Sequence, residues 1–192
     1  PSVDFADEAA VRALNAALLR DCYGLEHWDI PEGYLCPPVP GRADHIHHAA
    51  DLIGAKRGAR VLDVGVGANC IYPIIGRGEY GWDFVGTDVD PAALRCAGAI
   101  VKANPLLAGH VELRRQTPPA VLRGVILPGE SFDLTVCNPP FNATRAEADA
   151  GTRRKWENLR RSSKTGRNFG GRAAELWCPG GEARFARTMI EE

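Results

Sequence analysis

The spacing of apolar positions changes character at Gly58. Before it, Val11, Leu14, Leu18 and Leu19 recur at helical intervals, which predicts a helix from Asp7 to Arg20 with Asp7 as N-cap and Gly24 closing it. The stretches His27-Trp28-Asp29-Ile30-Pro31 and Tyr34-Leu35-Cys36-Pro37-Pro38-Val39-Pro40-Gly41 follow. That density of proline predicts an extended, stiff connection instead of a helix. A second helix is expected from Arg42 to Ile53, ending near Gly54. After Gly58, short apolar runs alternate with helical ones. Strands are expected at Arg60–Val64, Trp82–Thr87, Val111–Arg115 and Phe132–Cys137. One helix should end near Gly76, and another should run from the Asp90-Pro91 start to about Asn104. This alternation predicts an α/β fold: a sheet of parallel strands with helices on both faces. The chain thus reads as a helical and Pro-rich segment, 1–57, before an α/β domain, 58–192. Beyond Asn142 it turns polar, Gly-rich and basic, and apolar periodicity returns only at Phe185–Ile190.

Composition adds a few limits. At 192 residues and 45% hydrophobic, the chain can bury a real core. Starting at Pro1 and ending inside a periodic run, it is expected to be a piece of a longer protein. The net charge of -1 says nothing of nucleic acid, but the positive residues cluster. Arg153, Arg154, Lys155, Arg160, Arg161 and Lys164 form the centre of a basic stretch from Arg145 to Arg172. It is either a solvated loop or a place for RNA phosphates. The six cysteines lie at no metal-ligand spacing, which fits reduced thiols and a cytoplasmic location. No apolar run has the length of a membrane span.

The first predicted strand runs into Asp63-Val64-Gly65-Val66-Gly67-Ala68-Asn69. A glycine turn between strand and helix lets a ligand approach the backbone, although such a turn alone is a weak signal. Asp88, at the end of the next strand and about twenty residues on, strengthens it, because a carboxylate there can accept both hydroxyls of a ribose. Asp90 is the better helix cap, which leaves Asp88 for this work. The turn lacks the third glycine that seats a pyrophosphate, which speaks against a nicotinamide dehydrogenase. A ligand with a ribose and no phosphate, such as S-adenosylmethionine, fits better. Asp63, Gly65, Gly67 and Asp88 are the expected cofactor residues, and Gln116 after the third strand lies where the chain would pass the adenine ring.

The fourth predicted strand ends in Asn138-Pro139-Pro140-Phe141. Ligands bind at the carboxyl ends of parallel strands. The amino nitrogen of a nucleobase is a poor nucleophile, since its lone pair is delocalised into the ring. Two acceptors on its hydrogens help localise that pair. The Asn138 side-chain carbonyl and the Pro139 backbone carbonyl are candidates, preorganised by the two prolines. Phe141 offers a face for the base. The turn specifies methylation of an amino nitrogen as a class; adenine N6, guanine N2 and a glutamine amide all remain possible acceptors, and no metal is needed.

With these residues in view, the chain resembles the bacterial 23S ribosomal RNA adenine-N6 methyltransferases and the related animal methyltransferase-like enzyme that modifies small nuclear and messenger RNA. The resemblance rests on His27-Trp28-Asp29-Ile30-Pro31 with Gly33-Tyr34-Leu35-Cys36-Pro37-Pro38, on Pro40-Gly41-Arg42-Ala43-Asp44 with Ile46-His47-His48, and on Asp63 to Pro73 and Asn138 to Phe141. Asn168-Phe169-Gly170-Gly171 with Glu175-Leu176-Trp177-Cys178 and Gly180-Gly181-Glu182 fits the bacterial branch. It covers nearly the whole chain. It implies a Rossmann-like, class I S-adenosylmethionine-dependent methyltransferase whose sheet continues past Glu192. It further implies that Arg42 binds the cofactor's carboxylate, that Gly65 lines the turn, that Asp88 holds the ribose, and that Asn138 meets the target amino group. The implied substrate is a specific adenine of 23S ribosomal RNA, naked or in a large-subunit assembly intermediate. Where the animal enzyme has Thr beside the adenine, this chain has Gln116. His45, His47 and His48 are joined by no Cys or carboxylate at ligand spacing and are expected to face along a helix or touch RNA. The competing readings are a guanine-N2 ribosomal RNA methyltransferase and a non-catalytic RNA-binding fragment.

Overall fold

A computed structural model describes residues 3–5, 7–140, 142–144, 146–147 and 177–192. Among them the chain forms α1 (Glu8–Tyr23), α2 (Val39–Leu52), β1 (Arg60–Val64), α3 (Ile71–Tyr80), β2 (Asp83–Asp88), α4 (Pro91–Ala103), β3 (Val111–Arg115), β4 (Leu134–Cys137) and α5 (Gly181–Glu191). The predicted punctuation is seen at the helix ends. Asp7 accepts from the backbone N–H of Ala9, and Gly24 closes α1 in the left-handed conformation. Asp90 accepts from Ala92, and Pro91 opens α4. The Pro-rich connection differs from its prediction. It was expected to stay extended through Gly41, yet α2 starts at Val39 with Pro40 in its first turn. The first-turn N–H groups have no intrahelical acceptor, so a proline there loses nothing and its ring presets the helical φ.

All strand pairs are parallel, in the order β3-β2-β1-β4. One face of the sheet packs on the first four helices: Leu19, Ile46, Ile74, Ile75 and Ile100 join Val61, Phe84 and Val136 in one cluster. Trp28 and Ile30 of the connection belong to the same cluster, so the core runs without a break across residue 58. On the other face, Leu62, Val64 and Val85 pack with Val121 and with Phe185 and Met189 of α5. The Glu192 side chain fastens that helix further, accepting from the backbone N–H groups of Val121, Leu122 and Arg123 at 2.7–2.9 Å. Helices therefore lie on both faces, as the alternation of apolar runs predicts. Among the described residues no helix is long and apolar enough to cross a membrane.

Buried side-chain amides tie the N-terminal segment to the sheet. Asn104 is 1% exposed at the end of α4. Its oxygen accepts from the N–H groups of Glu26 and His27, and its nitrogen donates to the carbonyls of His27 and Ile100. Asn104→Ala takes the partner from these backbone groups, and water can replace it only in part, since Glu26 and His27 lie at the surface but their bonds to Asn104 are part-buried and that to Ile100 is buried. We expect a loss of about 2–4 kcal/mol in urea unfolding, each stranded polar group costing about 1–3 kcal/mol. A loss below about 1 kcal/mol would show that solvent reaches them.

Candidate functional site

Strand register brings the sequence-predicted residues to one edge. Val64 of β1 stands beside Thr87 of β2 and Cys137 of β4, and Asp88 stands beside Arg115 of β3. Gly65, Asp88, Gln116 and Asn138 therefore all sit at the carboxyl ends of neighbouring strands. The turn after β1 is anchored there, since both Gly65 and Val66 donate to the Thr87 carbonyl at 2.9 Å. Gly65 and Gly67 have φ of 84° and 64°. A Cβ on Gly65 would meet nothing within 4 Å, so the demand for glycine there is conformational and the turn's outer side is open.

The turn and β2 are joined through Asp88. Its Oδ2 accepts from the N–H of Gly67 at 2.9 Å and its Oδ1 from the N–H of Asp90 at 2.8 Å. The Val89 N–H also bonds this carboxylate. Burial raises the pKa of Asp88, against the lowering effect of these backbone bonds. Asp63, one residue before the end of β1, is 1% exposed, and among the described residues neither of its carboxylate oxygens has a hydrogen-bond partner. Burial, reinforced by the charge of Asp88 and opposed by Arg42, pushes its pKa up to about 8. A buried carboxylate with no donor is costly. Its cost is understandable where a cationic or donor-bearing ligand binds.

Arg42 lies on the first turn of α2, where its own N–H donates to the Pro38 carbonyl. Its side chain reaches over α3. One guanidinium nitrogen, Nη1, donates both to the Tyr72 hydroxyl oxygen and to Asn138 Oδ1, each at 2.8 Å. The guanidinium also stands 5.6 Å from the centroid of the Tyr72 ring. Asn138, Pro139 and Pro140 are half-buried directly after β4. By composition alone an arginine in a Pro-rich loop belongs on the surface, and only the resemblance pointed to Arg42. Tyr72 lies within the Asp63–Pro73 stretch that carries the resemblance, but no role is assigned to it there. Its further sequence signal is a place just beyond the glycine turn, on the helix that follows the turn.

Asn69 also had no assigned role. Its carbonyl accepts from Trp28 Nε1 at 2.9 Å, and its Oδ1 caps the N–H of Ile71 at 3.1 Å. It thereby clips the His27–Pro31 stretch onto the glycine turn. Gln116 follows β3 as predicted, and its N–H donates to the Asp88 carbonyl. Its side chain is buried and serves its own loop: Nε2 donates to the Val121 carbonyl at 2.6 Å and Oε1 accepts from Thr117. His45 stacks on Tyr72 with centroids 5.1 Å apart, and His47 Nδ1 pairs with the Tyr80 hydroxyl at 2.7 Å. Among the described residues no group of three or more His, Cys, Asp or Glu could hold a metal ion. Phe141 and the basic residues Arg153, Arg154, Lys155, Arg160, Arg161 and Lys164 lie outside the described residues. The chain on either side of that basic stretch meets beside the Asn138 turn. Asn142 bridges Trp177, and Cys178 donates to the Asn142 carbonyl at 3.0 Å.

A family model for RNA methyltransferases matches residues 1–192. The chain belongs to this RNA methyltransferase family. A family relative, Ribosomal RNA large subunit methyltransferase F of Ectopseudomonas mendocina (strain ymp), is 55% identical over 205 residues, an overlap that takes in 100% of this chain and 62% of that protein. The chain thus spans about three-fifths of that relative's length. Among solved structures, the hMettl16 catalytic domain in complex with the MAT2A 3'UTR hairpin 1 superposes with a TM-score of 0.83 at 36% identity, over 99% of this chain and 63% of that one. The N-terminal domain of human METTL16 in complex with SAH superposes with a TM-score of 0.67 at 34% identity, over 83% of this chain and 64% of that one. With the parallel β3-β2-β1-β4 order, these likenesses give this RNA methyltransferase family member a Rossmann-like methyltransferase fold.

Proposed function

We propose that the chain binds S-adenosylmethionine along the carboxyl edge of its sheet and that its protein transfers the methyl group to N6 of a specific adenine in 23S ribosomal RNA. The observation that carries this reading is the pairing of two features on that edge: a fully buried Asp63 carboxylate without a donor, and an Asn138 amide oxygen held by Arg42. The names of the relatives support an RNA acceptor, and the neighbour solved with SAH, the demethylated form of the cofactor, supports the donor.

The residues fit the cofactor. Asp63 would take its ammonium group and Arg42 its carboxylate. The Asp88 oxygens would take the ribose hydroxyls, and the turn, open at Gly65, would admit its close approach. The chain beside Gln116 would line the adenine. When bound, the cofactor supplies a methyl group already activated on a sulfonium. What remains for the protein is positioning. Asn138 Oδ1 and the Pro139 carbonyl accept the two hydrogens of the base amino group and localise its lone pair in line with the methyl carbon. The two acceptors would hold the amino group in this orientation, and the Pro139-Pro140 turn would keep them fixed while transfer occurs. Phe141 would stack on the base, an interaction worth about 1–3 kcal/mol in other base-binding sites. Arg153, Arg154, Lys155, Arg160, Arg161 and Lys164 would hold RNA phosphates, in free RNA or in a large-subunit assembly intermediate, and a ribosomal substrate would place the protein in the cytoplasm.

The test is nucleoside mass spectrometry of 23S ribosomal RNA after reaction with the full-length protein and labelled S-adenosylmethionine. Label in N6-methyladenosine is expected. Label in N2-methylguanosine would replace the acceptor, and a protein that binds the RNA but not the cofactor would be a binding module instead.

A further inference from the structure

An amide can carry out the role given to Asn138 only when it stands the right way round. With the group flipped, its NH2 would face the hydrogens of the base, donor against donor. Nothing in the Asn138-Pro139-Pro140 backbone decides this, because the two ends of the amide have nearly the same shape. The structure contains a device that does decide it. A guanidinium has donors and no acceptor, so Arg42 admits only the oxygen of Asn138 at its Nη1, 2.8 Å away. One lone pair of Oδ1 is then taken, and the second is left for the amino group.

Arg42 would be a poor reference point by itself, since its long side chain has many rotamers. Tyr72 removes that freedom. Its hydroxyl oxygen accepts from the same Nη1 at 2.8 Å, and its ring lies 5.6 Å from the guanidinium. Tyr72 is 4% exposed, sits in the first turn of α3, and is stacked against His45. That turn is locked in its own right by Asn69 capping Ile71, next to Cys70 in the left-handed region. A rigid path therefore runs from the glycine turn through Tyr72 and Arg42 to Asn138.

We propose that Tyr72 is a positioning residue for the transfer step: through Arg42 it fixes the orientation of the Asn138 amide. This rests on the reading of Asn138 given above and adds to it a residue that touches neither the base nor the methyl group.

The test is Tyr72→Phe in the full-length protein, which keeps the ring and removes the hydroxyl that accepts from Arg42. The single-turnover rate at saturating S-adenosylmethionine and RNA is expected to fall roughly 10- to 100-fold, the worth of one charge-assisted hydrogen bond. Cofactor Kd by calorimetry should stay within about threefold of wild type. The NMR relaxation of the Asn138 side-chain amide should report a rigid group in wild type and a mobile one in the variant. Arg42→Lys, which keeps a cation but loses the planar fork, should mobilise the same amide and serves as the second variant if Tyr72→Phe folds poorly. A saturated rate within threefold of wild type overturns the proposal. So does a rate loss fully accounted for by a weaker cofactor Kd, or an amide equally rigid in all three proteins. Failure of the functional reading looks different: wild type itself would leave adenine unmethylated, while the amide measurement, which needs no turnover, would still decide the role of Tyr72.

Discussion

Asn138→Ala in the full-length protein is expected to lower the single-turnover rate of methyl transfer by about 100-fold or more while cofactor Kd stays within about threefold. Removal of one preorganised hydrogen-bonding group from a reaction centre typically costs about 10²–10³ in rate. The separation of the two quantities follows from the site. Asn138 directly follows β4, whereas Asp63 lies in β1, Asp88 ends β2 and the glycine turn follows β1. Arg42 bonds the Asn138 side chain, and in the variant it retains its bond to Tyr72. Calorimetry with S-adenosylmethionine beside quenched-flow transfer to RNA measures both. A rate within about tenfold of wild type would remove Asn138 from the chemistry. A large loss of cofactor affinity would make it part of the cofactor site.

The second large effect belongs to Asp63. Its carboxyl has a pKa of about 8 in the folded chain against an ordinary value of 3.8. Between these values the folded state holds a proton that the unfolded state has released. Its contribution to stability is therefore complete at low pH, and it is lost as pH rises toward 8. The slope is about 1.4 kcal/mol per pH unit across the middle of that window. Urea unfolding at pH 5.5, 6.5 and 7.5 should show this decline in wild type and a much flatter profile in Asp63→Asn. Asp88, also raised, adds a decline of the same sign to both proteins. His45, lowered first by burial and then by Arg42, adds an opposite trend to both. The difference between the profiles isolates Asp63, and parallel profiles would show that it does not carry the proton. On the cofactor reading, the same variant should bind S-adenosylmethionine roughly 10- to 100-fold more weakly at pH 7.5, through loss of one charge-assisted contact. Wild-type affinity should rise with pH, since Asp63 must ionise to hold an ammonium group. Unchanged affinity in Asp63→Asn would take that contact away and leave the stability effect standing.

These effects share a logic. Asp63 costs the folded chain stability where it carries a negative charge, and on the cofactor reading that charge is the one that holds the ammonium group. A core built only for stability would place an apolar residue at this position in β1, between Gly86 and Val136.

Much of this molecule can be read from its sequence, because the signals involved are local. Apolar period, Asp7 and Asp90 as caps, and glycine at helix ends act over one or two turns of chain, so they specified the α/β alternation and most element positions before any contact was known. The chemistry of the Asn138-Pro139-Pro140 turn is local in the same sense. The prediction for the Pro-rich connection failed at Val39 and Pro40, where proline density argued for extended chain. What decided otherwise was position within the helix, since a proline in the first turn gives up no hydrogen bond.

Tertiary structure alone decided the relations among distant residues. The parallel register carried Gly65, Asp88, Gln116 and Asn138 to one edge. The turn of α2 brought Arg42 across to Tyr72 and Asn138, thirty and ninety-six residues away in the chain. Burial that leaves Asp63 without a donor depends on everything packed around β1. The Gln116 side chain is held by its own loop, a choice among backbone acceptors that residue type does not reveal. Residue type and spacing thus determined which chemistry the chain could perform. The folded arrangement determined which side chains stand together for it, because hydrogen bonds and desolvation depend on distance in space and not on separation along the chain.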